Sequence, residues 1–244
     1  MGTDDFWHLV ETARSRMTAA GGFDRALVEL LAAGSQREVL GYHERFEELL
    51  GALYRWDVWA AAYLIGGGCS DDGFTDFRAG VIAEGRAWYE RVAADPDSLA
   101  GHPSVAAAAA RVGGAGGGGG DRVLFSEEVN YAAAQAFERL TGDEDDFYEA
   151  WDQYSWETGP DENGDNPEKG SGAEMDMGED FQFADPDQMH RRLPRLAALY
   201  LPRGRQADPC FGGASAPRVT CPSGPASGSR SSPRCRCAES PPVP

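Results

Sequence analysis

The sequence predicts an all-α or α-dominated fold: a compact helical domain over residues 1–202 with an acidic mobile segment, followed by a disordered C-terminal tail. Apolar residues recur at spacings of three and four along most of residues 4–201, the period of a helix face. Strand-type alternation is nowhere sustained. Capping residues and glycine stops bracket the periodic stretches, as helix ends require. At 244 residues the chain holds one domain of ordinary size with extensions, or two small ones.

Two short helices are expected first. Asp4 is placed to cap one whose stripe is Phe6, Leu9, Val10, Ala13 and Met17. Gly21-Gly22 breaks it, and Leu27, Leu30 and Leu31 mark the second, which Gly34 ends. Ser35-Gln36-Arg37-Glu38 has the form of a capping box, so a helix starts at Ser35. From Val39 through Tyr42, Phe46, Leu49, Leu53, Trp56, Ala60 and Tyr63 the apolar face does not slip. Asp57 offers a restart, which leaves one long helix or two stacked ones. Trp56, Trp59 and Tyr63 read as core aromatics.

The stretch YLIGGGCSDDGFTDFR, residues 63–78, then separates two helical patterns. Ser70 is a good N-cap, and Asp71 and Asp72 fall in the first turn, where carboxylates suit the helix dipole. Phe74, Phe77, Val81 and Ile82 give the buried face. Gly85 bends or interrupts the helix before Trp88, Tyr89 and Val92, and Asp95-Pro96-Asp97 ends it. Residues 105–112 are alanine-rich and helical in composition. The run GGAGGGGG at 113–120 reads as a flexible linker; no Gly-Lys-Ser/Thr follows it, so it is not a phosphate loop. A helix is expected over 123–141, started at Ser126 and stopped by Gly142.

Residues 141–187 hold seventeen Asp or Glu against Lys169 alone. Such a segment buries too little to offset its ordering entropy and is expected to be mobile. The exception is the set Phe147, Tyr148, Trp151, Tyr154 and Trp156, which has the means to dock on the helical body. A last short helix is expected around 185–201, with Pro194 near its middle. Beyond it, residues 203–244 are Pro, Ser, Gly, Arg and Cys without periodicity.

The net charge is −18, and residues 203–244 carry six Arg against Asp208 and Glu239, so residues 1–202 carry −22. A body that acidic repels phosphate backbones and anionic lipid surfaces, which argues against nucleic acid and membrane as partners. Basic protein faces or cations are the partners it favours. The N-terminus MGTDDFW is acidic where a secretory signal would be basic, and Phe6 stands where a myristoylation motif needs Ser or Thr. The run VWAAAYLI at 58–65 is too short to span a bilayer. Only Cys69 of the five cysteines lies before residue 203, which is no disulfide framework. These readings together place the protein in the cytoplasm.

The candidate reaction centre is the loop of residues 66–72 and the helix start after it. A glycine-rich turn into a helix is an anion site in principle, but Asp71 and Asp72 already occupy the positive end. Cys69 is a nucleophile candidate, although the same aspartates raise its pKa and no histidine is positioned by sequence. Asp71, Asp72 and Asp76 are metal or acid–base candidates, since Asp72 and Asp76 share a helix face. Glycine for the turn, serine for the cap and aspartate for the dipole are also what a plain helix–helix corner needs, and the corner is the favoured reading. No zinc helix, nucleophile elbow or dinucleotide fingerprint is present. His8, His43, His102 and His190 are scattered and read as surface or capping residues. Asp161-x-Asn163-x-Asp165 begins like a calcium loop, but Asn166 and Gly172 replace its glycine and its bidentate glutamate. Cys210, Cys221, Cys235 and Cys237 match no zinc knuckle. No cofactor is expected.

Several of these features together resemble a bacterial family, domain of unknown function 4240. They are Tyr54-Arg55-Trp56-Asp57, Gly67-Gly68-Cys69-Ser70-Asp71-Asp72, Phe77-Arg78 and Gly85. Phe6-Trp7, Asp95-Pro96-Asp97-Ser98-Leu99 and Leu193-Pro194-Arg195-Leu196 also look like it, so the resemblance spans about residues 4–202. It implies a compact helical domain and no established activity. The sequence departs from the pattern at Gly66, where Asn is expected, and at Gly80, where a larger residue, often Trp, is expected. Both changes are expected to loosen the loop region.

The leading functional expectation is a non-enzymatic, acidic, helical module, regulatory or immunity-like, that binds a basic protein surface. The alternative is a metal-assisted hydrolase built on Asp71, Asp72 and Asp76. Residues 203–244 are expected to be a dispensable extension of the kind a shifted reading frame produces. Truncation after Pro202 should therefore leave helix content and melting temperature unchanged, and a large drop in melting temperature would overturn that assignment.

Overall fold

Local punctuation sets where most helices start and stop. The structure is a computed structural model that describes residues 1–17, 21–112, 122–143, 145–158 and 176–201. Among them are twelve α-helices, one 3-10 helix and no β-strand. The linker 113–120, the calcium-loop lookalike at 161–172 and the cysteine-bearing stretch 203–244 lie outside the described residues. The described residues all fall in one compact unit.

Helix α1 (Thr3–Ser15) packs on α2 (Phe23–Leu31) and α3 (Gln36–Ala52). Gly2, not Asp4, is the N-cap of α1; Asp4 sits in its first turn and pairs with Arg86 at 2.8 Å. The apolar stripe ends at Ala13, because the helix ends at Ser15 and Met17 is 53% exposed. At the start of α3 the capping box forms: Glu38 N–H donates to Ser35 Oγ, and Ser35 N–H donates to the Glu38 carboxylate at 2.7 Å. Phe6 stacks on Tyr42 at 5.1 Å and Tyr42 on Phe46 at 5.9 Å, an aromatic column that ties α1 to α3.

The unbroken apolar period from Val39 to Tyr63 is two helices. Helix α3 ends at Ala52, and α4 (Trp56–Gly66) starts after a turn in which Tyr54 N–H donates to Gly51 O. Arg55, in extended conformation, takes the N-cap position expected of Asp57. Its guanidinium grips both oxygens of Asp57 and donates to Ala93 O at 2.6 Å, so the break is fixed by a tertiary contact. Trp56, Trp59 and Tyr63 are half-buried instead of core. Trp56 stacks on Trp59, Trp59 stacks on Phe74 at 4.8 Å, and Phe183 lies edge-on against the pair.

Helices α5 (Asp71–Ala83) and α6 (Arg86–Ala94) are separated at Gly85, whose φ of 87° belongs to the left-handed region glycine tolerates. A Cβ there would overlap the Glu11 carboxylate, which accepts from Arg86 N–H and so stands in for a cap of α6. The 3-10 helix Pro96–Gly101 leads into α7 (Pro103–Val112). The expected helix over 123–141 is divided at Tyr131 into α8 (Glu127–Asn130) and α9 (Ala132–Thr141), and Gly142 in the left-handed region ends it as expected. Within the acidic stretch, residues 145–158 form α10. Phe147 and Tyr154 are buried and Trp151 is half-buried, so the aromatic exception carries order there.

Pro194 divides the last expected helix into α11 (Pro186–Arg192) and α12 (Pro194–Tyr200), because its missing N–H and fixed φ suit a helix start. Asp97 caps α12 from far away in sequence. Its carboxylate, 3% exposed as a residue, accepts from Arg195 N–H at 2.9 Å, Leu196 N–H at 2.8 Å and Arg195 Nε at 3.0 Å. Arg195 also pairs with Asp95.

The two departures at Gly66 and Gly80 do not loosen the corner. A Cβ at Gly66 would meet Phe125 at 2.9 Å, and one at Gly80 would overlap the Leu124 carbonyl. Residues 123–125 press onto both helices through the gaps those glycines leave.

Asp97→Ala removes three charge-assisted bonds and orphans two helix N–H groups, with an expected cost of about 3 kcal/mol in urea unfolding. Arg195→Ala, at a half-exposed side chain, should cost about 1 kcal/mol or less. Equal losses would contradict the capping role.

Candidate functional site

The corner between α4 and α5 is built by backbone geometry. Gly67 takes the left-handed conformation that closes α4, with φ 66°, and Gly68 N–H donates to Tyr63 O at 2.9 Å. Trp59 Nε1–H donates to Cys69 O at 3.2 Å and pins the loop to α4. Ser70 Oγ then accepts from Gly73 N–H at 3.2 Å, so Ser70 caps α5, with Asp71 and Asp72 exposed in the first turn. The Ser70 cap and the first-turn position of Asp71 and Asp72 agree with the sequence expectation.

Beside it lies an open groove of about 620 Å³, lined by Ser70, Asp72 and Asp76 on one wall and Arg122, Glu127 and Asn130 on the other. Asn130 Nδ2–H donates to Asp76 at 3.2 Å, and Ser126 N–H donates to the Asp76 carbonyl. Burial raises the Asp76 carboxyl above its ordinary range, and the charges of Glu127, Asp72 and Glu128 push the same way, with Arg122 opposing. Asp72 and Asp76 therefore share one wall, as their spacing predicted, whereas Asp71 and Cys69 do not line the groove. No group of three or more His, Cys, Asp or Glu among the described residues is arranged to hold a metal ion. Burial pushes the Cys69 thiol up to about 11, with Asp76 and Asp71 adding to the rise, so it is protonated at neutral pH.

The remaining signature residues hold helix ends. Arg78, nearly buried, lies over the rings of Tyr54 and Phe74 and donates to Leu50 O in the last turn of α3 at 2.9 Å. Arg55, with Asp57, reaches the last turn of α6, and Phe77 is core.

Sequence reasoning missed the second wall of the groove. Asn130 is 54 residues from Asp76, and no periodicity links them. It also misplaced two histidines. His102 is 3% exposed, edge-on to Trp88 at 4.5 Å, with Nε2 3.4 Å from Glu84 and Nδ1 without a partner. That contact holds the Glu84 carboxyl below its usual range. His43 is half-buried between Phe147 and Trp151, and burial lowers its pKa to about 4. Buried histidines carry no sequence mark that separates them from exposed ones.

Residues 1–139 match the model of a protein family of unknown function, DUF4240, and the chain belongs to that family. The match ends in α9, so α10, α11 and α12 extend the body beyond it. No curated protein and no solved structure matches the chain. No helix among the described residues is long and apolar enough to cross a membrane.

Ser70→Ala, Asp71→Ala and Asp72→Ala should each cost about 0.5–2 kcal/mol of stability as lost capping and dipole terms. Magnesium, manganese or zinc should leave the melting temperature of the wild type and of Asp72→Asn and Asp76→Asn unchanged. An upward shift in the wild type alone would reinstate a metal-assisted reaction at this groove.

Proposed function

We propose that this family member is a non-enzymatic binding module, regulatory or immunity-like, that engages a basic protein face. The observation that carries the reading is the −22 charge on residues 1–202. A field of that sign steers cationic surfaces in and holds phosphate backbones off, so the partner is a protein and not a nucleic acid. The groove supports it locally: burial, and after it the nearby charges of Glu127 and Asp72, raise the Asp76 carboxyl, with Arg122 as the opposing charge. An arriving guanidinium or ammonium group would relieve that repulsion. The hydrolase alternative on Asp71, Asp72 and Asp76 has less to stand on, since Asp71 is outside the groove that Asp72 and Asp76 line.

Affinity capture from native lysate at ionic strengths of about 0.1 M and about 1 M tests this, because screening shortens from ~10 Å to ~3 Å across that range. A basic protein retained at low salt and released at high salt is the expected result. Salt-insensitive capture, or none, counts against electrostatic recognition.

A further inference from the structure

The inner face of α10 is accounted for. Phe147 meets Phe137 of α9 at 5.7 Å, Trp151 meets His43 of α3 at 4.6 Å, and Tyr154 donates to Glu44 at 3.1 Å. Its outer face is not. Tyr148, Asp152 and Trp156 recur at intervals of four and form one stripe along the helix. Tyr148 is 52% exposed and Trp156 is 69% exposed, the most exposed of the large hydrophobic residues described. Tyrosine and tryptophan are enriched at binding hot spots. Around the stripe stand Asp145, Asp146, Glu149, Asp152 and Glu157; the helix contains no basic residue, and these carboxylates make no ion pair among the described residues.

We propose that this outer face of α10 is the docking surface for an arginine-rich segment of a partner protein. The inference rests on the reading of the acidic body as a module for basic proteins and gives that reading a place and a side-chain preference. Guanidinium groups lie flat on the rings of Trp156 and Tyr148 while their N–H groups reach the neighbouring carboxylates. Arginine fits this pattern better than lysine. Its planar, weakly hydrated cation stacks and makes paired hydrogen bonds, whereas an ammonium is a compact and strongly hydrated charge. Acids alone would attract either cation equally, so the aromatic stripe is what sets the preference.

The test titrates the full-length protein with oligoarginine and oligolysine peptides of equal length and charge at low ionic strength. Wild type is compared with Trp156→Ala, with Tyr148→Ala and with the variant carrying both. Circular dichroism and melting curves verify that each exposed-site variant is folded. The expected result is tighter binding of oligoarginine by wild type, a loss of about tenfold in Trp156→Ala/Tyr148→Ala combined, and oligolysine affinity nearly unchanged. Equal binding of both peptides with no effect of the aromatic variants overturns this docking surface and leaves the electrostatic reading standing. No binding of either peptide overturns both. Concentration-dependent self-association of wild type, abolished by Trp156→Ala, assigns the face to a second copy of the chain and also overturns the proposal.

Discussion

A chain cut into many short helices must satisfy many helix ends. Each end leaves N–H or C=O groups without intrahelical partners, and in a compact body those groups are partly out of reach of water. Here much of that demand is met by side chains from other helices. Asp97 receives the first turn of α12, and Glu11 receives the first N–H of α6. Arg78, Arg14 and Arg55 reach carbonyls in the last turns of α3, α5 and α6. Each of these contacts pairs a charge with the helix end of opposite sign, so the dipole adds to the hydrogen bond. The same contacts fix how the helices sit on one another.

Tyr54, Arg55, Asp57, Arg78 and Gly85 are spent on helix ends and turns, and Gly67 through Asp72 build a corner. Asp71 and Asp72 of that corner remain exposed.

The sequence made the corner and the capping box legible because both are local: the donor, the acceptor and the turn glycine lie within a few residues. The break between α3 and α4 was not legible, since the apolar period runs straight through Leu53 to Trp56 while the break depends on Ala93. The division at Pro194 was half legible, as the proline was visible but its capping partner Asp97 lies 98 residues away from Arg195. In the acidic stretch, composition spoke for mobility and only the aromatic residues spoke for docking on the body; the helix over 145–158 was not read from the sequence. Half of the groove followed from the spacing of Asp72 and Asp76. Its other half came from a segment brought in by the packing of α8 on α5.

Gly80 and the segment 123–125 constrain each other across 44 residues of sequence. Leu124 adopts a φ of 68°, a conformation that residues with a Cβ rarely take, and its carbonyl fills the place where any Cβ at position 80 would lie. A larger residue at position 80 and this path of the segment are mutually exclusive. A side chain at position 80 therefore requires residues 123–125 to take another path, so the two places in the sequence can change only together.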